Sequence, residues 1–332
     1  MDFTIAKRRA EITARIRDFF SEQGYLEVET PILAPAVIPE SHLEVFRTEY
    51  IEPYRGTRTP LFLLPSPEIW MKKLIAAGSG DIFQISRCFR NAEDPSASHN
   101  PEFTMLEWYT IGADYMESLD RFESLAEYVI AHAVPDAPEA VRPPYRRLSM
   151  DEAFSLYAGF PLVEAMEFPA LAERAREIGI EPGESDDWSA LFDRVFLNRV
   201  EPRLSEGHGT IVYDYPATVA TLAKRKSGTP WSERWEAYIG GFETINCYTE
   251  ETAPRRVAEF FESEKNAKES AAVPVTVDTT FPKLFGSGFP GCSGAALGLD
   301  RFVAALLGKQ RIKGVALFVI SDIIPYTIQH RR

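Results

Sequence analysis

Phe83-Gln84-Ile85-Ser86-Arg87-Cys88-Phe89-Arg90-Asn91 is answered, after a polar loop, by His99-Asn100-Pro101-Glu102-Phe103-Thr104-Met105-Leu106-Glu107-Trp108-Tyr109. Residues Asp81 to Arg90 and Glu102 to Tyr109 read as two strands, the first ending in a cation. Side chains alternate along a strand, so Phe103, Met105, Glu107 and Tyr109 share one face. An acid and a phenol then project together from a largely apolar strand, which suggests a pocket for a cation. Arg90, where the first strand enters the loop, is suited to clamping phosphate oxygens.

Outward from this pair, helices and hairpins alternate. Ile5 to Gly24 has apolar residues at helical intervals, and Tyr25-Leu26-Glu27-Val28-Glu29-Thr30-Pro31 turns strand-like until proline closes it. Pro67 to Ala77 reads as a short helix with Ser66 at its cap and Glu68 in its first turn. Tyr115 to His132 is a further helix, and the prolines from Pro135 to Pro144 mark a break. A mostly helical insertion is expected at about 149–205. Ile211 to Tyr215 is a short strand, Trp235 to Ile239 and Phe242 to Tyr248 form a hairpin through Gly240-Gly241, and Arg255 to Ala267 is a charged helix. Gly291-Cys292-Ser293-Gly294-Ala295-Ala296-Leu297-Gly298-Leu299-Asp300-Arg301 reads as a glycine-rich strand running into a helix. Several hairpins and few βαβ periods predict an α+β fold, a mainly antiparallel sheet flanked by helices.

The chain has 332 residues, 45% apolar and 26% charged, enough to bury a substantial core. Lys and Arg total 36 against 49 Asp and Glu, a formal charge of -13 that gives no general attraction to phosphate backbones. No membrane segment is expected, since the apolar run Gly314 to Ile320 is too short to span a bilayer and reads as a buried strand. Cys88, Cys247 and Cys292 have neither zinc spacing nor disulfide density, and a cytoplasmic location is expected.

Glu236, Glu243 and Glu250 recur every seven residues, with Asn246 between the last two. On a regular strand such spacing alternates faces, so grouping Glu243 with Asn246 and Glu250 requires an irregularity. The plain alternative is a set of surface acids on a solvated face. If buried, they need partners: magnesium bridging nucleotide phosphates for one set, the ammonium of a diamino acid for another. Nothing has the arrangement of a Ser-His-Asp site, and His99 reads as a loop-fixing residue.

Taken in order, three stretches resemble the motifs of the class II aminoacyl-tRNA synthetases, lysine branch, and most closely its members that modify elongation factor P. Tyr25 to Pro31 is similar to the dimer-forming first motif. Phe89-Arg90-Asn91 with His99 to Glu107 is similar to the second, and Gly298-Leu299-Asp300-Arg301 to the third. The resemblance implies a class II catalytic domain over residues 1–332 that uses ATP and Mg2+. Arg90 and Arg301 would hold the phosphates, with Glu93 and His99 also at the nucleotide and Phe103 stacking on adenine. Glu236 and Glu243 would coordinate magnesium. Glu68 and Glu107 would face the substrate's amino group, Tyr109 and Glu250 its distal ammonium, and Asn246 its carboxylate.

Within the lysine branch, the chain begins too close to its first motif for an N-terminal OB-fold that reads an anticodon, so tRNA is not the expected partner. Ala296 stands where tRNA-charging members have glycine, as in the protein-modifying members, which implies β-lysine, or else lysine, as donor and elongation factor P as acceptor. A homodimer is expected. The second-motif loop is one residue longer than usual, Ser98 replaces an arginine, and either Glu93 or Asp94 takes the loop's acidic role. Cys247 replaces a glycine. A truncated tRNA-charging enzyme and a non-catalytic regulatory paralogue are the alternatives.

Overall fold

The computed structural model describes residues 3–93, 95–268 and 271–324. In chain order, α1 (Phe3–Glu22) leads to β1 (Leu26–Glu27), then to β2 (Leu33–Ala34) and the hairpin β3 (Phe46–Ile51) and β4 (Arg58–Leu63). Helix α2 (Glu68–Ala76) precedes β5 (Ile82–Phe89) and β6 (Glu102–Ile111), and α3 (Tyr115–Ala133) follows. After β7 (Arg146–Ser149) come α4 (Met150–Tyr157), α5 (Phe168–Glu177), α6 (Trp188–Val195) and α7 (Glu201–Leu204). Then β8 (Thr210–Pro216), β9 (Trp231–Ile239) and β10 (Phe242–Thr249) lead through α8 (Pro254–Ala267) to β11 (Cys292–Gly298) and α9 (Leu299–Leu306).

Eight strands form one sheet in the order β1-β5-β6-β11-β10-β9-β8-β7. Only the edge pairs, β1 with β5 and β7 with β8, are parallel, so the antiparallel α+β expectation is met. The strands β2, β4 and β3 make a separate small sheet.

One face of the large sheet is apolar and packs on α1, α3 and α9, with Leu106, Trp108, Trp235, Ile245 and Leu297 all buried there. Phe20 of α1 stacks on Phe83 with centroids 4.9 Å apart and tilts against Trp108 at 5.3 Å. Burying each such ring contributes about 1.5–3 kcal/mol. Helix α3 starts at a full capping box, in which Asp114 accepts from the backbone N–H groups of Met116 and Glu117 and the Glu117 carboxylate reaches back. Asp300 at the start of α9 ties the layers together: it accepts from Thr104 N on β6 at 2.8 Å and pairs with Arg9 of α1 at 2.6 Å.

The opposite face is covered at its two ends and left open in the middle. At one end α2, α8 and the small sheet pack around Phe62, Ile69, Phe261 and Phe281. At the other, the helices between β7 and β8 pack Phe154, Trp188 and Phe192 against Val212 and Tyr215. Among the described residues no helix is long and apolar enough to cross a membrane.

One expectation fails. The run Gly314 to Ile320 is not a buried strand; it forms a turn closed by a Lys313–Ala316 bridge and then enters a short helix. Leu317 and Phe318 are exposed, and the segment pairs with neither edge strand of the large sheet, β1 or β7. Apolar runs of this length do not distinguish a strand from a turn seated beside the core.

The hairpin between β9 and β10 turns on Gly240 and Gly241, both with positive φ (62° and 88°), the geometry a tight two-residue turn requires. A Cβ at Gly240 would also lie 3.1 Å from the Ala305 Cα of α9, whereas one at Gly228, equally left-handed, would meet nothing. Gly228→Ala should therefore cost about 1 kcal/mol and Gly240→Ala about 2–4 kcal/mol, read as denaturant midpoints.

Candidate functional site

Register across the large sheet assembles the site. Residues directly opposite on paired strands share a face, and the pairing runs Gln84, Glu107, Ala296, Asn246 and Glu236 across β5, β6, β11, β10 and β9. Two residues along, a second row on the same face runs Ile82, Tyr109, Gly294, Tyr248 and Arg234. Glu243 would fall on the core face by simple alternation. The register slips between Glu243 and Ile245, so that Glu243 pairs with Tyr238 and Ile245 with Ala237. This bulge brings Glu243 onto the face that carries Asn246, and it is the irregularity that the sevenfold spacing required.

The acidic half of the site lies between this face and α2. Lys72 is fully buried and pairs with Glu68 at 2.5 Å and Glu250 at 2.7 Å. Burial alone would lower its pKa, but the two carboxylates outweigh that and hold it raised and charged. Burial pushes Glu250 up to about 7 against the pull of Lys72. Its Oε1 is buried with no hydrogen-bond partner. A Cβ at Gly294 would sit 2.6 Å from that oxygen and from the Tyr109 ring, so only glycine lets both pack this closely on the strand. Glu107 accepts from Ser66 Oγ at 2.5 Å, and burial raises it to about 8.

The basic half borders a cavity of about 190 Å³ lined by Arg90, His99, Phe103, Glu243, Asn246 and Arg301, among others. Arg301 Nε donates to the Ser98 carbonyl at 3.0 Å, its Nη1 to the Glu243 carbonyl at 2.9 Å and its Nη2 to His99 Nε2 at 2.7 Å. Burial and the Arg301 charge lower the His99 pKa, in keeping with a neutral ring that accepts from the guanidinium. The second-motif loop is thus drawn over Arg301, and the cavity is smaller than the roughly 300–1,000 Å³ of most ligand pockets.

Arg90 is less engaged. It lies 3.6 Å from Glu93, its Nε is buried without a partner, and its guanidinium covers a face of Phe103 at 5.2 Å. Asp94, the other candidate acid of the loop, lies outside the described residues.

The structure brings Glu68, Glu107, Tyr109 and Glu250 to the acidic half, and Arg90, Glu93, His99, Phe103, Glu243 and Arg301 to the basic half. Asn246 and Ala296 lie on the row between them. Asn246 Oδ1 accepts from Arg234 Nε at 3.0 Å, which leaves its amide N–H groups as donors. Glu236 is different: it pairs with Arg234 and accepts from the Tyr215 and Tyr238 hydroxyls, each at 2.6 Å. Its carboxylate is already satisfied.

Among the described residues no group of three or more acids, histidines or cysteines forms a metal centre. Glu243 places a carboxylate beside the cavity, 3.6 Å from Arg301, with its pKa raised by burial and by Glu236. That set suits magnesium held largely by phosphates, with Glu243 as its protein ligand and Glu236 joining only if a tyrosine lets go. The three cysteines are free and buried, and burial raises the thiol of each.

Sequence reasoning missed Lys72 and Arg234 and gave Gly294 no place in the site. Lys72 lies one helical turn after Glu68, a spacing that usually marks a surface pair. A lone glycine inside a strand is a signal of close approach, and Gly294 gave it.

The family described as tRNA synthetases class II (D, K and N) matches residues 3–322. Proteins named elongation factor P–(R)-beta-lysine ligase are similar along nearly their whole length. The one from Avibacterium paragallinarum is 36% identical over 316 residues, 95% of this chain and 94% of the relative. Those from Vibrio atlanticus (strain LGP32) and Vibrio cholerae serotype O1 are 34% and 36% identical, each covering 94% of both chains.

Glu107 supplies a test of the buried acids. Unfolded, it ionises near 4.5; folded, near 8. Between those values the folded state binds the extra proton, so stability falls as pH rises through the window. Glu107→Gln should match the wild type near pH 4.5 and gain on it, by about 1 kcal/mol or more, towards pH 8, measured by urea unfolding at both ends.

Proposed function

The chain belongs to the class II tRNA synthetase (D, K and N) family, and on that premise we propose that it is an ATP-dependent aminoacyl ligase that couples (R)-β-lysine to a lysine side chain of elongation factor P. The observation that carries this reading is Glu250 Oε1, a buried carboxylate oxygen without a hydrogen-bond partner that packs with the Tyr109 ring on Gly294. An uncompensated buried acid is costly, and a ligand ammonium is the group that relieves it. The neighbouring cavity is lined by two arginines, Arg90 and Arg301.

In this reading the donor's distal ammonium binds Glu250 and Tyr109. Its nearer ammonium faces Glu68 and Glu107, and Asn246 donates to its carboxylate. Arg90 and Arg301 bind the phosphates of ATP, with Glu93 and His99 at the loop, and adenine stacks on Phe103. For that to happen Arg301 releases Ser98 and His99, and Arg90 moves off the Phe103 face. The carboxylate attacks the α-phosphorus and pyrophosphate leaves; the neutral acceptor amine then attacks the carbonyl of the mixed anhydride, forming the amide and releasing AMP and a proton. Fixed cations offset the charge that develops, and orientation supplies much of the remaining rate. Mg2+ held at Glu243, with Glu236 in reserve, would add charge to the phosphates.

The Ala296 methyl, between Glu107 and Asn246, favours β-lysine over lysine by excluding a substituent at the pocket floor. Residues 149–205 are read as an insertion within one catalytic domain. The protein acts in the cytoplasm as a homodimer joined through α1 and the Tyr25 to Pro31 segment. The acidic balance, -13, offers no broad surface to tRNA.

Purified protein should catalyse pyrophosphate exchange into ATP with β-lysine, more weakly with lysine, and label elongation factor P but not tRNA. Glu250→Gln should lower kcat/KM about 30-fold or more, as expected for a lost buried charge pair. No exchange with any diamino acid overturns the proposal.

A further inference from the structure

Asn246 can serve a carboxylate only if its amide points the right way, and an amide is nearly symmetric about its last torsion. Arg234 removes that freedom. Its Nε donates to Asn246 Oδ1 at 3.0 Å, and a guanidinium carries donors only, so the amide atom that it meets must be the oxygen. The amide nitrogen is the end left for the cavity, which Asn246 lines and Arg234 does not. Arg234 thus stands one side chain behind the site.

Register puts these groups within reach of one another. Asn246 pairs with Glu236 across β10 and β9, and Arg234, two residues before Glu236, lies one row along on the same face. Its guanidinium turns back over that row: Nη2 donates to Glu236 Oε1 at 2.5 Å, and its plane covers the Tyr215 ring at 4.5 Å. Tyr215 reaches this face because β8 slips register between Tyr213 and Tyr215, so that Tyr213 packs towards the apolar core while Tyr215 packs on the other side. The slip falls at Asp214, whose φ is 62° and whose carboxylate is held by the Lys226 ammonium at 2.8 Å and the Tyr115 hydroxyl at 2.7 Å. With its side chain 14% exposed, Arg234 is fixed by an amide, an acid and a ring at once.

On the ligase reading above, on which this inference rests, we propose that Arg234 is a positioning residue that holds the Asn246 amide with its nitrogen towards the donor's carboxylate. The attacking group is then received by N–H donors. A flipped amide would set its oxygen against the carboxylate and turn its own N–H groups on the guanidinium, so both contacts would be lost together. Lysine does not replace this arginine: an ammonium can meet Asn246 or Glu236, but it has neither the fork that meets both nor a plane to lie on Tyr215.

The test is a double-mutant cycle in pyrophosphate exchange with β-lysine, comparing wild type, Arg234→Lys, Asn246→Ala and the double variant. Arg234→Lys keeps a cation beside Glu236. It should lower kcat/KM for β-lysine about 10- to 100-fold while the KM for ATP stays within about twofold. On the Asn246→Ala background the same change should cost about threefold or less, because the group it acts through is gone. Cadaverine, a diamine with no carboxylate, should inhibit wild type and Arg234→Lys within about twofold of each other. An unchanged kcat/KM overturns the inference. So does an equal loss on both backgrounds, which would mean that Arg234 acts without Asn246. Parallel weakening of cadaverine, which signals general damage to the pocket, or a change confined to ATP, which signals an effect through Glu236, overturns it too. If Asn246→Ala shows no exchange, the cadaverine comparison decides alone. A wild type inert towards every diamino acid removes the ligase reading instead, and this inference with it; matching unfolding midpoints show that the variants fold.

Discussion

The ammonium of Lys72, sealed between Glu68 and Glu250, is the contact on which the site depends. It joins α2 to the end of β10 across the face of the sheet, and without it two carboxylates would be buried against each other. Such a pair adds little net stability compared with an apolar core, but breaking it leaves an uncompensated charge. Its consequence is geometric. Lys72 Nζ is ion-paired with Oε2 of Glu250, while Oε1 packs against Gly294 and Tyr109 without a partner, so a structural lysine orients an acid for use by something else.

The sheet does the rest through register. Five strands place one residue each in a single row, from Gln84 to Glu236, so that acids and amides meet on that row, with Arg234 on the next, because the strands are antiparallel and in step. A single bulge at Thr244 reverses the facing of the segment before it and brings Glu243 to the same side as Asn246. The opposite face is mainly apolar and packs on α1, α3 and α9, which supplies the rigidity such placement needs. Asp300, bonded at once to β6 and α1, fixes the helix start from which Arg301 reaches the loop.

Much of this was legible in the residues. The helices, the hairpin at Gly240-Gly241 and the shared face of Phe103, Glu107 and Tyr109 follow from periods and turn chemistry, which are local. What the sequence hid is non-local. Lys72 has the spacing of an ordinary surface pair, and only the packing of α2 on the sheet buries it. Glu236 looks equivalent to Glu243 along the chain, yet Tyr215, from another strand, helps to satisfy it. The run to Ile320 looked like a core strand because hydropathy reports burial preference and says nothing about whether an edge is free.

The clasp of Arg301 on Ser98 and His99 has a thermodynamic side. Three of its hydrogen bonds already end within the protein, so an arriving nucleotide exchanges partners instead of satisfying idle donors. The measured affinity is then a difference between two closed arrangements, and it reports the cohesion of the loop as much as the attraction of the phosphates. Substitutions at Ser98 that loosen the loop would tighten nucleotide capture while making no contact with it, and the extra residue in this loop is a place where such tuning can accumulate without altering the chemistry.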